Sequence, residues 1–189
     1  AGQSARQAYQ RIYYDSNNTN AYERKKDRVS RDIDVGCMTF HEAHNHWHFD
    51  HFARYELYDC VIPLGATLCS RNGSLRSGEK VTFCIADVFR RSTTTDSPTS
   101  SRYGFGCGRQ AAQGLSVGWG DQYTRSTSGQ ELSISGLLAT TYCYVSTADP
   151  NNLLIERSEG DNSQSIRLTL SDTDGDTLLD TVVKGTAGC

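Results

Sequence analysis

All five histidines of this 189-residue chain fall between positions 41 and 51, in the run His41-Glu-Ala-His44-Asn-His46-Trp-His48-Phe-Asp-His51. Imidazole is a common ligand for copper and zinc, so a run this dense reads first as a metal site. His44, His46 and His48 alternate with Asn45 and Trp47. In an extended segment alternate side chains share a face, with next-neighbour Cα atoms about 6.5 to 7 Å apart, so three imidazoles would project together. A helix would turn residues two apart to different sides. Met38, Thr39, Phe40, Trp47 and Phe49 flank or interleave the run and favour strands. Three imidazoles with no thiolate suit Cu(II) or a catalytic zinc better than a closed structural zinc site. These residues alone do not separate the two metals. His41 and His51 stand at the ends as a fourth ligand, a proton carrier or a support for the ligands. A surface histidine run is the bland alternative, and interleaved aromatics at an internal position weigh against it.

The elements that hold this run must come from the rest of the chain. Its length suits one domain with a sizeable core. A net charge of −3 without a basic field excludes nucleic acid as an expected partner. No apolar run approaches the length of a membrane span. No signal segment is visible at Ala1-Gly2, so a secreted protein would be in its mature or trimmed form. Residues 1–35 read as a polar arm or helix packed on a domain spanning 36–189, with 7–14 either strand or short helix. From residue 36 the texture is all-β. Strands are expected at Phe52–Tyr58, Lys80–Phe89, Glu131–Leu137, Thr140–Ser146, Ser165–Leu170 and Leu178–Val183. Turns are expected at Ser70–Ser74 and Asp149–Asn152, and loops at Ser92–Arg102 and the glycine-punctuated Gly114–Tyr123. The fold class is all-β, a β-sandwich with long irregular loops and few short helices.

The seven cysteines are scattered, with no Cys-x-x-Cys pair and none among the histidines. That distribution points to disulfides and an oxidising compartment. Cys60–Cys69 across a short turn is the favoured bridge and Cys84–Cys107 a second candidate, with terminal Cys189 the expected odd one. Asp172-Thr-Asp-Gly-Asp-Thr-Leu-Leu-Asp180 has the alternating acids of a calcium loop but misplaces the glycine and lacks a closing glutamate. A hairpin turn at Asp174-Gly175 is the stronger reading, with Ca²⁺ at Asp172–Asp180 as the alternative.

Three segments in order now matter: His41 to His48, Gly78-Glu-Lys80-Val-Thr-Phe-Cys84, and Gln113-Gly-Leu-Ser-Val-Gly-Trp-Gly-Asp-Gln-Tyr123. Together with Tyr55-Glu-Leu-Tyr-Asp59, they resemble the catalytic domain of the lysyl oxidase family over roughly residues 36–170. The resemblance implies that His44, His46 and His48 bind Cu²⁺. It implies that Lys80 and Tyr123 cross-link into lysine tyrosylquinone; a precursor with Zn²⁺ at the histidines and the pair unjoined is compatible with it. The implied enzyme is a secreted copper amine oxidase. It would act on primary amines or lysine-containing peptides with O₂, yielding aldehyde, H₂O₂ and ammonia. Asp121, two residues before Tyr123, is the candidate base, and a loop-holding turn is its plainer role.

The chain departs from the animal members in two places. Ala43 stands where they have a cysteine before the first copper histidine, so Cys107, matching that cysteine's usual partner, pairs differently or stays free. Arg54 stands where they have a histidine sometimes proposed as the base, and His51 fills the neighbouring gap. Two other readings stay open. One is a copper- or zinc-binding module of the same fold without the quinone. The other is zinc hydrolase chemistry, with Glu42 or Asp50 as the local base.

Overall fold

β-branched and aromatic residues bounded by glycine- and asparagine-rich turns form antiparallel strands, as the composition leads one to expect. A computed structural model describes residues 5–19, 29–61, 64, 73–93, 97–104, 107–108, 110–124, 126–127, 131–156, 158–176 and 179–187, without the side chains of 79–81 and 181–187. Nine strands are found among them. In chain order they are β1 (Ala5–Tyr13), β2 (Ser30–His41), β3 (His46–Asp59), β4 (Leu75–Phe83), β5 (Phe89–Arg90), β6 (Trp119–Gly120), β7 (Thr141–Ala148), β8 (Ser163–Ser171) and β9 (Thr181–Ala187). The one helical element among the described residues is the 3-10 turn Glu159–Asp161. The fold is all-β.

The chain divides into two compact units. The first comprises Ala1–Asp50, Thr82–Thr127 and Leu153–Ile155. Here β1 pairs antiparallel with β2, which resolves the strand-or-helix alternative at 7–14 as strand. β2 then pairs with the start of β3, from Met38 opposite Phe49 to His41 opposite His46. Alternation sends Phe40, Trp47 and Phe49 to one side, each buried. Phe40 and Trp47 meet edge to face at 5.2 Å, and the Arg6 guanidinium lies 4.4 Å from the centre of the Trp47 ring.

The second unit comprises His51–Val81, Ser128–Asn152 and Glu156–Cys189. The later part of β3 pairs with β7, β7 with β8, and β8 with β9. β4 also pairs with β3. Leu57, Tyr142 and Leu170 are buried together, with Leu132, Ile134 and Leu137 packed against them.

Two expected strands are corrected. Glu131–Leu137 is not a strand, because Leu137 N–H turns back onto the Ile134 carbonyl and Gly136 sits within that turn at φ +75°. Its apolar residues reach the core without a ladder. Lys80–Phe89 is not continuous either. β4 stops at Phe83, and Phe83 to Asp87 are all buried, which strand alternation would not give. The backbone there bonds to loops instead, with Asp87 N–H on the Tyr103 carbonyl and Gly114 N–H on the Ile85 carbonyl. Strands at Phe52–Tyr58, Thr140–Ser146 and Ser165–Leu170 are found inside β3, β7 and β8. β9 starts at Thr181, later than expected. Asn152 N–H on the Asp149 carbonyl closes the expected turn at 149–152. Most of the expected turn at Ser70–Ser74 lies outside the described residues.

Cys84 and Cys107 form the expected bridge, with Cα atoms 6.0 Å apart. Cys60 and Cys143 each take part in a disulfide. Cys69 and Cys189 lie outside the described residues, and among those described Cys37 is the free cysteine.

Leu57 is 1 % exposed at the centre of its cluster. Leu57→Ala should cost about 3 kcal/mol, a methylene-transfer loss plus an unfilled cavity. Urea unfolding would check this, and a loss under about 1 kcal/mol would mean the cluster can collapse around the gap.

Candidate metal centre and its surrounding loops

The histidine run is not extended throughout. His41 ends β2 and His46 opens β3 directly opposite it. Residues 42–45 form the turn between them, closed by His44 N–H on the His41 carbonyl at 3.2 Å and Asn45 N–H on the Glu42 carbonyl at 3.1 Å. Asn45 takes the left-handed φ of +54° that asparagine tolerates better than most residues. Strand alternation therefore aligns only His46 and His48. His44 arrives from the turn, which corrects the expectation of three alternating strand positions. The turn also brings in His41, whose ring stacks on His44 at 4.3 Å and His48 at 5.0 Å.

The rings of His46 and His48 lie 4.8 Å apart, and His44 is 5.4 Å from His46 and 5.5 Å from His48. Donor nitrogens of His44, His46 and His48 lie within 4.8 Å of one another. Metal–nitrogen bonds of about 2.0 Å need nitrogens about 3.3 Å apart. His44 is exposed, so a small rotation of its ring can close the difference. The donor set fits copper or zinc.

Burial pushes the pKa of His48 down to about 4, with electrostatic repulsion from the neighbouring histidines adding to the effect and Asp50 opposing it. Burial, then His44, also lowers His46. Both imidazoles are neutral near pH 7, with a lone pair available to a metal. On the same side of the hairpin, Thr39 Oγ1 donates to Asp50 Oδ2 at 2.6 Å. His48 Nδ1 lies 2.9 Å from Thr82 Oγ1. His51 sits within β3 at φ +63°, where the strand passes from its β2 pairing to its β7 pairing.

Lys80 lies in β4, two residues before Thr82, and its side chain is outside the described residues. Tyr123 is half-buried. Its hydroxyl donates to the Cys84 carbonyl at 2.5 Å, and its ring lies 4.3 Å from that of Phe83. Burial, with a smaller contribution from Asp121, raises its pKa to about 12. The Asp121 Oδ2 accepts from Ala86 N–H at 2.9 Å. Burial raises the pKa of Asp121, against the lowering effect of backbone donors from Ala86 and Gln122.

The loops that carry Tyr123 are tied by a residue that the motifs did not single out. Asp87 is 3 % exposed. Its carboxylate accepts from Arg102 N–H at 2.9 Å, Tyr103 N–H at 3.3 Å, Ser116 N–H at 2.7 Å and Ser116 Oγ at 2.8 Å. The available signal was a lone acid inside the apolar run Cys84-Ile-Ala-Asp-Val-Phe89. Gly118, at φ +74°, completes this packing: its carbonyl takes Arg91 and Ser92 N–H, and a Cβ there would come within 2.6 Å of Ser97 Oγ. The Cys84–Cys107 bridge joins these loops to the histidine hairpin, because Trp47 N–H donates to the Cys107 carbonyl and Gly108 bridges to His46.

Two carboxylate groups elsewhere, Asp149 with Glu156 and Glu159, and Asp172 with Asp174 and Asp176, have oxygens close enough to share an ion. In the second, Asp172 Oδ1 accepts from Gly175 N–H, while Asp180 Oδ2 accepts from both the N–H and the hydroxyl of Thr173. These bonds close the turn between β8 and β9, the stronger of the two readings for that loop.

Asp87→Ala would leave four donors without their acceptor and should cost about 3 kcal/mol, read by urea unfolding. A variant as stable as the parent would mean that the loops do not depend on this carboxylate. The metal-free protein should also lose stability in acid. His48 has its ordinary pKa of 6.5 when unfolded and about 4 when folded. Between these values the unfolded chain binds a proton that the folded protein refuses, so stability is full above 6.5 and falls toward pH 4. Urea midpoints from pH 7.5 to 4 should show this fall relative to His48→Gln. Parallel curves for the two proteins would refute it.

A search of curated proteins found no match. The sequence profile of the lysyl oxidase family matches residues 16–178. That stretch contains the histidine hairpin, Lys80, Asp87, Asp121 and Tyr123. By this match over most of its length, the chain belongs to the lysyl oxidase family.

Proposed function

We propose that the protein is a copper-dependent amine oxidase. It would convert primary amines, either peptidyl lysine or small amines, to aldehydes, with O₂ and water consumed and ammonia and H₂O₂ released. One observation carries this reading: within a chain of this family, His44, His46 and His48 bring three donor nitrogens within 4.8 Å of one another. These three residues would hold the metal. Copper, when bound there, supplies one-electron redox chemistry with O₂.

The organic half of the centre comes from the chain itself. Lys80 and Tyr123 are assigned as the two precursors of lysine tyrosylquinone. Chain position supports the pairing: Lys80 is two residues from Thr82, which bonds His48, and four from Cys84, whose carbonyl holds the Tyr123 hydroxyl. That hydrogen bond and the Phe83 ring orient the phenol. A pKa near 12 keeps it protonated at neutral pH until the ring is oxidised. Joining to the ring requires a neutral Lys80 amine. Asp121, with its proton affinity raised by burial, is the assigned base for the substrate α-proton. The Cys84–Cys107 disulfide supports residence in an oxidising compartment, consistent with secretion. No helix of the described residues is long and apolar enough to cross a membrane.

The test is aerobic copper loading followed by a hydrazine probe and an amine-dependent peroxide assay. The wild type should form a hydrazine adduct mapping to a joined Lys80–Tyr123 peptide. His44→Ala should lose copper and adduct together. Lys80→Ala should keep copper and release no peroxide. Asp121→Asn should keep the adduct and lower kcat by about a hundredfold. Bound copper with Lys80 and Tyr123 recovered as separate, unmodified residues would instead establish a metal-binding module without oxidase activity.

A further inference from the structure

We propose that Thr82 is a positioning residue for the metal centre, fixing the proton of His48 on Nδ1 so that Nε2 is the ligating nitrogen. The inference rests on the copper reading of the three histidines and extends it to a residue outside the run. His48 Nδ1 lies 2.9 Å from Thr82 Oγ1, inside one compact unit, with both side chains partly buried. A neutral imidazole has one N–H and one lone pair. If Nε2 is to give its lone pair to a metal, the proton must sit on Nδ1, and a hydrogen bond in which Nδ1–H donates to Thr82 Oγ1 holds it there. The same bond sets the rotation of the ring about its Cβ–Cγ axis. A ligand held this way is preorganised, and its partner commonly contributes ten- to a hundredfold in metal affinity.

The other two imidazoles show why this matters. His44 stands exposed in the turn, and His46 contacts the other histidine rings and pairs with Gly108 through its backbone. His48 has a ring nitrogen bonded to a side chain of another element, Thr82 of β4. Thr82 also stands between Lys80 and Cys84 in sequence, so one short run anchors the His48 ring at Thr82 and the Tyr123 hydroxyl at Cys84. Its hydroxyl links the metal hairpin to the strand that carries the assigned lysine.

The experiment uses the full chain, with Thr82→Val and Thr82→Ser. Cu²⁺ affinity is measured against a competing chelator, and the His48 tautomer of the metal-free protein is read by ¹H–¹⁵N NMR at neutral pH. Wild type should show His48 as the Nδ1–H form. Thr82→Val, which keeps the shape and removes the acceptor, should bind Cu²⁺ about ten- to a hundredfold more weakly and populate the Nε2–H form. Thr82→Ser should stay within a few-fold of wild type. Unchanged affinity and tautomer in Thr82→Val would overturn the proposal, as would a Thr82→Ser protein as weak as Thr82→Val. If Thr82→Val does not fold, the wild-type tautomer decides: the Nε2–H form refutes the assignment. Failure of the copper reading itself looks different, since wild type and His44→Ala would then bind Cu²⁺ equally weakly while the tautomer still reports on Thr82.

Discussion

The register of the β2–β3 hairpin is the constraint on which the candidate centre depends. Phe40, Trp47 and Phe49 are buried on one side of it, while His41, His46 and His48 stand on the other. Burying three aromatic side chains is worth several kcal/mol, at about 1.5 to 3 kcal/mol each. A slip of one residue would expose all three and bury the imidazoles. Hydrophobic packing on one face thus positions the polar chemistry on the other, without any contact between the two. The turn residues then add His44, which no strand register could supply.

Around this hairpin polar contacts add to the apolar packing that holds the surrounding loops. Among the described residues of 84–123 there is little regular structure beyond the short pairing of β5 with β6. Their order comes from the buried Asp87 carboxylate, the Cys84–Cys107 bridge, and backbone bonds such as Val88 N–H to the Gly120 carbonyl. A buried carboxylate is costly unless its acceptors are filled, and here four donors from three loop positions fill them. The same arrangement that satisfies Asp87 sets the loop that presents Tyr123. Its hydroxyl is then fixed by a main-chain carbonyl, a partner that a side-chain substitution cannot remove.

The disulfide ties the surrounding loops to the hairpin. Ala43 stands before His44, Cys37 of β2 is free, and the partner of Cys107 lies outside the hairpin. That partner is Cys84. The bridge still reaches the hairpin, because the backbone of Cys107 and Gly108 lies against Trp47 and His46. The tie to the hairpin is made by main-chain hydrogen bonds on one side of the bridge and by the bridge itself on the other.

Much of this was legible in the chain, and where it was not the reasons are physical. The all-β class, the strands at 52–58 and 165–170, the glycine-punctuated loop and the three histidines follow from residue type and spacing, which act locally. Alternation misread two segments. Residues 131–137 carry a strand-like pattern, yet their apolar residues reach the core from a turn. Residues 83–87 are all buried, which a periodicity of two cannot describe. His41 joins the histidine cluster only because a four-residue turn folds β3 back on β2. Asp87 and Thr82 have no local signature at all, since their roles come from partners 15 to 34 residues away. The sequence by itself determined which atoms are present for metal and amine chemistry, because ligand type is a property of the side chain. Tertiary structure alone decided which nitrogens converge, which carboxylate is buried and what holds the phenol, because those depend on distances closed by long-range pairing.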